Sequence, residues 1–353
     1  MSIKKSFVGE AKRLPIKVAA IGVAVPLLSF LSTQAVFAEN TIYGQAHVSL
    51  DFLDNGAEYS ELNISSNASN IGFRGETQFE GITAYYQIEQ QVDFNNSNGE
   101  TFSTRDTFVG LRGQFGSVQI GRFDSPFKQA RNPANLFGNQ VGDIRNVTRV
   151  GDARVDERLP NTIAYQTPGY RGLVGAVSYS VSEQNVNPEG ADADALSASV
   201  IYTDEAWDLA LAYETHGEDT ERGERDGLRL AGSYRINDAV RVVGFWQHLD
   251  HVNDTLDSEV IGAGFDWSLT TKTRLKAYYL VRDVDVVDAN SELLAVGVEH
   301  RLHRNLRFYL NYASVANDDN AALTPWTQAR TATAPGALGE TTSGLSGGLR
   351  YYF

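Results

Sequence analysis

The 353-residue sequence contains no cysteine, which excludes a disulfide framework, a thiolate metal site and a cysteine nucleophile. It has one methionine and only 9 prolines. Beyond residue 38 it also lacks any apolar run approaching the ~20 residues a helix needs to cross a bilayer. The 3.6-residue apolar period of an amphipathic helix is hard to find anywhere. Positive charge is in deficit, with 30 Lys and Arg against 44 Asp and Glu and a formal net charge of −14.

What basic charge there is begins early. Lys4, Lys5, Lys12, Arg13 and Lys17 precede the apolar stretch "VAAIGVAVPLLSFL", and Val36 and Ala38 stand where a signal peptidase reads small residues. The pattern predicts a cleaved export signal over residues 1–38 and a mature chain of residues 39–353. That mature chain carries 25 basic and 43 acidic residues, a net charge of −18. An exported, acidic chain has none of the basic footprint that nucleic acid requires, so no nucleic-acid partner is expected.

Alternation with a period of two is present throughout. In "ITAYYQIEQQVDF", Ala84, Tyr86, Ile88, Val92 and Phe94 fall on one face, and Thr83, Tyr85, Gln87, Glu89, Gln91 and Asp93 on the other. "IYGQAHVSLDF" and "LRFYLNY" divide in the same way. About sixteen such segments of roughly ten residues are found, the length of a tilted strand that crosses a membrane. They begin near residues 41, 69, 82, 102, 117, 161, 173, 195, 206, 226, 240, 259, 273, 293, 305 and 343. Tight turns such as "FEG" and "FGS" take turns with long polar connections such as "SEQNVNPEGADAD", "THGEDTERGERD" and "ANDDNAALTPWTQARTATAPGALGETT". The expected fold class is all-β, a transmembrane antiparallel β-barrel of sixteen strands with both termini on one side. A soluble sandwich also alternates. Charged residues on almost every polar face and aromatics crowded at strand ends weigh against it. The terminal "SGLSGGLRYYF" puts Leu345, Leu349, Tyr351 and Phe353 on one face, as a closing strand that ends in an interfacial aromatic belt would.

With "TIYGQAHVSLDF", "SNIGFRGETQFEGITAYYQIE", "RDTFVGLRGQFGSVQIGRFDSPF", "RLPNTIAYQTPGY" and the terminal "LRYYF", the chain resembles the general diffusion porins of the Gram-negative outer membrane, the trimeric sixteen-stranded family of non-enteric type. The resemblance implies a cell outer-membrane location and a homotrimer surrounded by lipid and lipopolysaccharide. It implies passage of ions and small hydrophilic solutes, and barrel assembly machinery that reads Tyr351 and Phe353. It further implies that the long connection at residues 124–158 is a third loop folded into the lumen as a constriction. By motif, Arg105 in "TRDTFVGL" and Arg158 in "RLPNTIAY" take wall positions of a basic ladder. Arg74 in "GFRGE" shares the inward parity of Glu76 and Gln78 and is a third candidate. Asp143, Asp156 and Glu157, with Asp124 and Asp152, are the loop acids available to face that ladder; ordinary surface or subunit-interface pairing is the other possibility for each. Gln45 and Asn70 stand where many members of the family carry a basic residue. The parity of Arg105 against Val109 and Leu111 requires a bulge or a changed facing.

Little points to enzyme chemistry. His248 and His251, and His300 and His303, are three apart, which on a strand places each pair on opposite faces. There is no HExxH and no phosphate-cradling glycine loop. His47 and Ser49 share a face but lack a third partner. No metal and no cofactor is expected. A substrate-specific channel of the same architecture, or an outer-membrane barrel hydrolase, are the alternatives to a diffusion pore.

Overall fold

The computed structural model describes residues 39–95, 102–181, 194–217 and 222–353. The expected export signal lies outside the described residues, as do parts of the connections "SEQNVNPEGADAD" and "THGEDTERGERD". The chain runs through β1 (Glu39–Asp54), β2 (Ser60–Ser66), β3 (Asn70–Phe79), β4 (Ile82–Val92), β5 (Phe102–Gly113) and β6 (Gly116–Asp124). Two single-turn helices follow, α1 (Pro126–Gln129) and α2 (Arg145–Thr148), and then β7 (Arg158–Gln166), β8 (Leu173–Ser180), β9 (Ala195–Thr203), β10 (Trp207–His216) and β11 (Arg225–Arg235). The rest is β12 (Val240–His251), β13 (Ser258–Ser268), β14 (Thr273–Val284), β15 (Ser291–His303), β16 (Leu306–Asn317) and β17 (Thr342–Tyr352), with one 3-10 turn at Asp254–Leu256.

From β3 onward each strand pairs antiparallel with the next, and β17 pairs back onto β1, so the sheet closes and has no free edge. The seventeen segments make sixteen staves. β2 and β3 lie end to end along β1, with Val48–Asp54 paired to β2 and Glu39–Gln45 to β3. The alternation search missed β2, because Asn67, Ala68 and Ser69 interrupt its stave with a left-handed residue, Ala68 at φ 53°. Polar side chains replace the ladder there. The Ser69 hydroxyl bonds both the amide and the carbonyl of His47, at 2.9 Å each, and Asn67 donates to Ser49 at 2.8 Å.

Burial is inverted relative to a water-soluble sheet. On β15, Leu294, Val296 and Val298 are exposed while Ser291, Leu293, Ala295 and Glu299 are buried. Leu211, Leu230, Ile261, Leu310 and Leu345 repeat the exposed apolar face on other strands. Hydrocarbon is the solvent that makes such a face favourable, and closure satisfies the backbone groups that lipid cannot.

The buried apolar residues gather where the connections meet the sheet. Phe137, Val141, Ile144 and Val147 from residues 125–157 pack with Trp326 and Ala332, against Val260, Tyr278, Leu280, Leu293 and Ala295 of the wall. Phe127, Ala130, Ala153 and Val155 pack against Ala210, Ala212 and Leu249. Small wall residues make the room. A Cβ on Gly227 would lie 3.0 Å from the Phe127 ring. The connection between β16 and β17 was expected to be a solvated polar loop, yet Trp326 and Arg330 within it are buried. The indole joins the apolar cluster of Leu53, Val141 and Leu293, and Arg330 finds the carboxylate of Asp51.

Candidate functional site

Strands β3 to β7 present a band of charge on the face opposite their exposed apolar side chains. The expected bulge is found where β4 meets β5. Ile88 pairs with Thr107 and Gln90 with Thr104, so Glu89 alone opposes Arg105 and Asp106. Two consecutive residues thereby reach the same charged cluster, which strict alternation forbids. Arg105 bonds the Glu89 carboxylate, and Tyr43 donates its hydroxyl to the other Glu89 oxygen at 3.0 Å. Arg158, the first residue of β7, bonds Asp106 and also Asp124 at 2.8 Å. Lys128, one turn along α1, reaches Asp124 at 3.0 Å. Burial pushes the Lys128 ammonium down to about 8, with Asp124 opposing the shift.

Arg74 lies with its guanidinium 5.0 Å above the Tyr43 ring. It lines an open cavity with Glu76, Gln87, Phe108 and Arg112. A second cavity, lined by Gln87, Asp106, Phe108, Asp124 and Gln129, shares two of these residues. The two form one polar passage beside β3 to β7, with Arg74 and Asp106 along its length.

Residues 125–157 are tied to the other half of the wall by side chains that satisfy their backbone. Lys276 donates to the Leu136 carbonyl at 2.9 Å, Arg350 to Gly138 at 2.9 Å, Gln247 to Thr148 at 2.8 Å and Arg225 to Arg154 at 2.8 Å. The root of the connection is fixed most heavily. Glu214 accepts from the Ser125 hydroxyl at 2.5 Å and from the Asp156 amide at 3.2 Å. Arg229, fully buried, donates to the Phe127 carbonyl at 2.8 Å and to Asp156 at 2.7 Å, while its plane lies 4.0 Å from the Phe127 ring. Burial would raise the Asp156 carboxyl, but the guanidinium groups of Arg131 and Arg229 outweigh it and hold the carboxyl below its ordinary value.

The six singled-out charges therefore separate. Arg74 lines the first cavity, and Arg105 and Arg158 are bound to Glu89 and to Asp106 and Asp124, the last two of which line the second. Asp143 does not face them. It is fully buried within its own connection, where it binds Arg145 at 2.6 Å and accepts from the Asn139 amide at 2.6 Å. Asp156 is buried between Arg131 and Arg229. Glu157 pairs with Arg149 at 2.8 Å and Arg154 at 3.1 Å. A carboxylate flanked by arginines in its own segment pairs locally before it can face a wall across water. The acids that do meet the arginines are Glu89, Asp106 and Asp124. The first two were not singled out, although the adjacent charges of Arg105 and Asp106 inside an alternating strand were a visible sign of the bulge.

His47 bonds the Tyr309 hydroxyl at 2.9 Å and Arg350 at 3.1 Å, and Ser49 donates to Asp51 at 3.1 Å. Among the described residues no group of His, Asp and Glu is arranged to hold a metal ion. A closed antiparallel barrel, apolar outside and lined with charge around an open passage, defines a membrane-spanning channel protein.

Comparison with known proteins gives the particular family. Residues 20–320 match the family model described as Gram-negative porin, and the chain belongs to that family. It is 25% identical to outer membrane porin protein 32 of Delftia acidovorans over 352 residues, covering 94% of this chain and 99% of the relative. It is 24% identical to the major outer membrane protein P.IB of Neisseria meningitidis serogroup B, covering 76% of this chain and 95% of the relative. Among solved structures, an anion-selective porin from Comamonas acidovorans superposes with a TM-score of 0.77 at 20% identity, covering 90% of this chain and all of that one. The trimer form of OmpT from Vibrio cholerae superposes with a TM-score of 0.65 at 18% identity, over 90% of this chain and 99% of that one. The protein is an outer-membrane channel for passive diffusion.

Proposed function

We propose that this porin is a homotrimeric general-diffusion channel with a preference for anions, and that residues 125–157 fold into its lumen and narrow it against the wall of β3 to β7. Arg74, Arg105, Arg158 and Lys128, with Glu89, Asp106 and Asp124, line the narrow section. Asp143 and Asp156 anchor it from within. The observation that carries the anion preference is a mismatch of charge. Glu89, Asp106 and Asp124 each lie within salt-bridge distance of a cation. Arg74, Lys276, Arg282 and Arg350, on the inner face of the wall, make no ion pair among the described residues. Lys276 and Arg350 spend their donors on carbonyl, amide and imidazole acceptors rather than on a carboxylate. A net positive field in a passage walled by low dielectric concentrates anions, whatever the sign of the whole chain. The anion-selective porin among the structural neighbours supports the same reading.

Export would use residues 1–38. Tyr351 and Phe353, exposed on the outer face with rings 6.2 Å apart, would serve the barrel assembly machinery, and lipopolysaccharide would meet the apolar belt. The test is a planar bilayer holding the refolded mature chain under a salt gradient. A reversal potential of the anion-selective sign, with conductance steps in groups of three, supports the proposal. A cation-selective sign sinks it.

A further inference from the structure

We propose that the connection between β16 and β17, residues 318–341, forms a second layer of the constriction, with Trp326 and Arg330 as positioning residues that set the aperture. The inference rests on the reading that residues 125–157 narrow the pore.

The two connections are joined through their backbones. The Gly142 amide donates to the Pro325 carbonyl at 2.7 Å, and the Gln328 amide donates to the Asn146 side chain at 3.0 Å. Arg149 donates to the Gln328 side chain at 3.1 Å. These contacts fall on the middle of residues 125–157, the part furthest in sequence from the Glu214 and Arg229 anchors at its root. Two fixings hold the second connection down in turn. Trp326, fully buried, belongs to the same apolar cluster as Leu53 and Val141 and donates its indole N–H to the Ala334 carbonyl at 2.8 Å. Arg330 pairs with Asp51 on β1, and both side chains are fully buried.

That pair is an unusual choice for mere packing. Its Nε and Nη1 and the Asp51 Oδ1 find no hydrogen-bond partner, so desolvation is incompletely offset, and an apolar pair of the same volume would serve stability as well or better. What a lone buried ion pair provides is one position and no other. Beyond it, the Ser66 amide donates to the Thr331 hydroxyl at 2.8 Å, next to the break in the second stave. The strap thus reaches from β17 over the middle of the constriction to β1 and β2. Side chains of its own length, added to the wall contacts of Arg350, Tyr278 and Gln247, limit how far residues 138–149 can retreat.

The experiment uses the full mature channel in planar bilayers and in liposomes. Arg330→Ala is expected to raise single-channel conductance and admit a tetrasaccharide that the parent channel excludes. Because the chain has no cysteine, Asn146→Cys with Gln328→Cys can be added to the same variant. Oxidation is then expected to return conductance to the parent value and reduction to release it again, a recovery that general damage to the barrel would not give. If Arg330→Ala does not assemble, Trp326→Ala is measured in its place. Parent conductance and solute cut-off in the assembled variant, unchanged by reduction or oxidation, would overturn the proposal. Arg158→Ala, measured alongside, separates the two readings. A shifted reversal potential there with no effect at Arg330 removes only the strap, and no effect at either removes the constriction as well.

Discussion

Truncating Arg229 to Ala tests whether the barrel wall holds the proposed constriction in place. The guanidinium is completely buried, and it is bonded to Asp156, the Phe127 carbonyl and Gln247. Removing one partner of a buried ion pair costs about 3–5 kcal/mol, because the other charge is left in a dry site. Asp156 keeps Arg131, so the lower end, about 3 kcal/mol, applies. Every 1.4 kcal/mol is tenfold in an equilibrium, so release of the root of the connection becomes roughly a hundredfold more populated. The sheet itself loses none of its ladder bonds. The assay is trypsin nicking of the folded barrel, since Lys128, Arg131, Arg145, Arg149 and Arg154 all lie on the affected segment. Arg229→Ala should be cut far faster than the parent while its unheated form still migrates as a compact barrel. Current noise should rise in parallel. A cycle with Asp156→Ala should return a coupling of about 1–3 kcal/mol between the two sites. Parent-like nicking and quiet current in Arg229→Ala would refute the reasoning, since the connection would then be held by its own packing.

Among the described residues, Arg158→Ala leaves Asp106 with no cation within salt-bridge distance and Asp124 with Lys128 alone, so the reversal potential should move toward cations; an unchanged potential places Arg158 off the ion path. As pH rises through about 8 Lys128 loses its proton, so one positive charge disappears beside Asp124 and anion preference should fall between about pH 7 and 9. Lys128→Arg should flatten that dependence, and a flat profile in the parent contradicts it. A Cβ on Gly44 would lie 2.6 Å from the Phe353 ring at the seam where the termini exchange two backbone hydrogen bonds of 3.1 Å. The Asn70 carbonyl oxygen crowds the same Cβ and cannot swing aside as a ring can, so Gly44→Ala should lower the yield of heat-modifiable barrel, and normal yield would refute the expected crowding.

The barrel was legible in the chain because its lipid-facing side chains alternate without interruption over strand after strand, as in β15 and β16. The stave count survived even though β2 was overlooked, since "SELNISS" has only Leu62 and Ile64 on its apolar face and shares its stave with β3. The site was less legible. Arg105 and Arg158 were singled out by motif, and the bulge beside Arg105 was found by a parity conflict. The partners of these arginines were not found, because pairing between staves depends on register, which alternation alone leaves open. Nor was the burial of residues 125–157 and 318–341 worked out strand by strand, although a signal was there. "LALA", "LAG" and "LLAVGV" are apolar or small on both faces, and a wall that only met water on its inner side would not need Ala210, Ala231 and Ala295. The acids at 143 and 156 misled because net charge along a sequence does not say which arginine lies nearest in space.

One consequence of the passage beside β3 to β7 concerns how freely this protein can change. The half of the circumference that grips the two connections is constrained on both sides, by lipid without and by packed side chains within. The other half is constrained on one side only. Inner positions such as Thr83, Gln87, Ser117 and Gln166 can be exchanged for other residues without disturbing a packed neighbour. A lineage of such channels could therefore drift in its choice of solute along a single arc, and a designer wishing to re-line the pore for sensing would begin on that same arc.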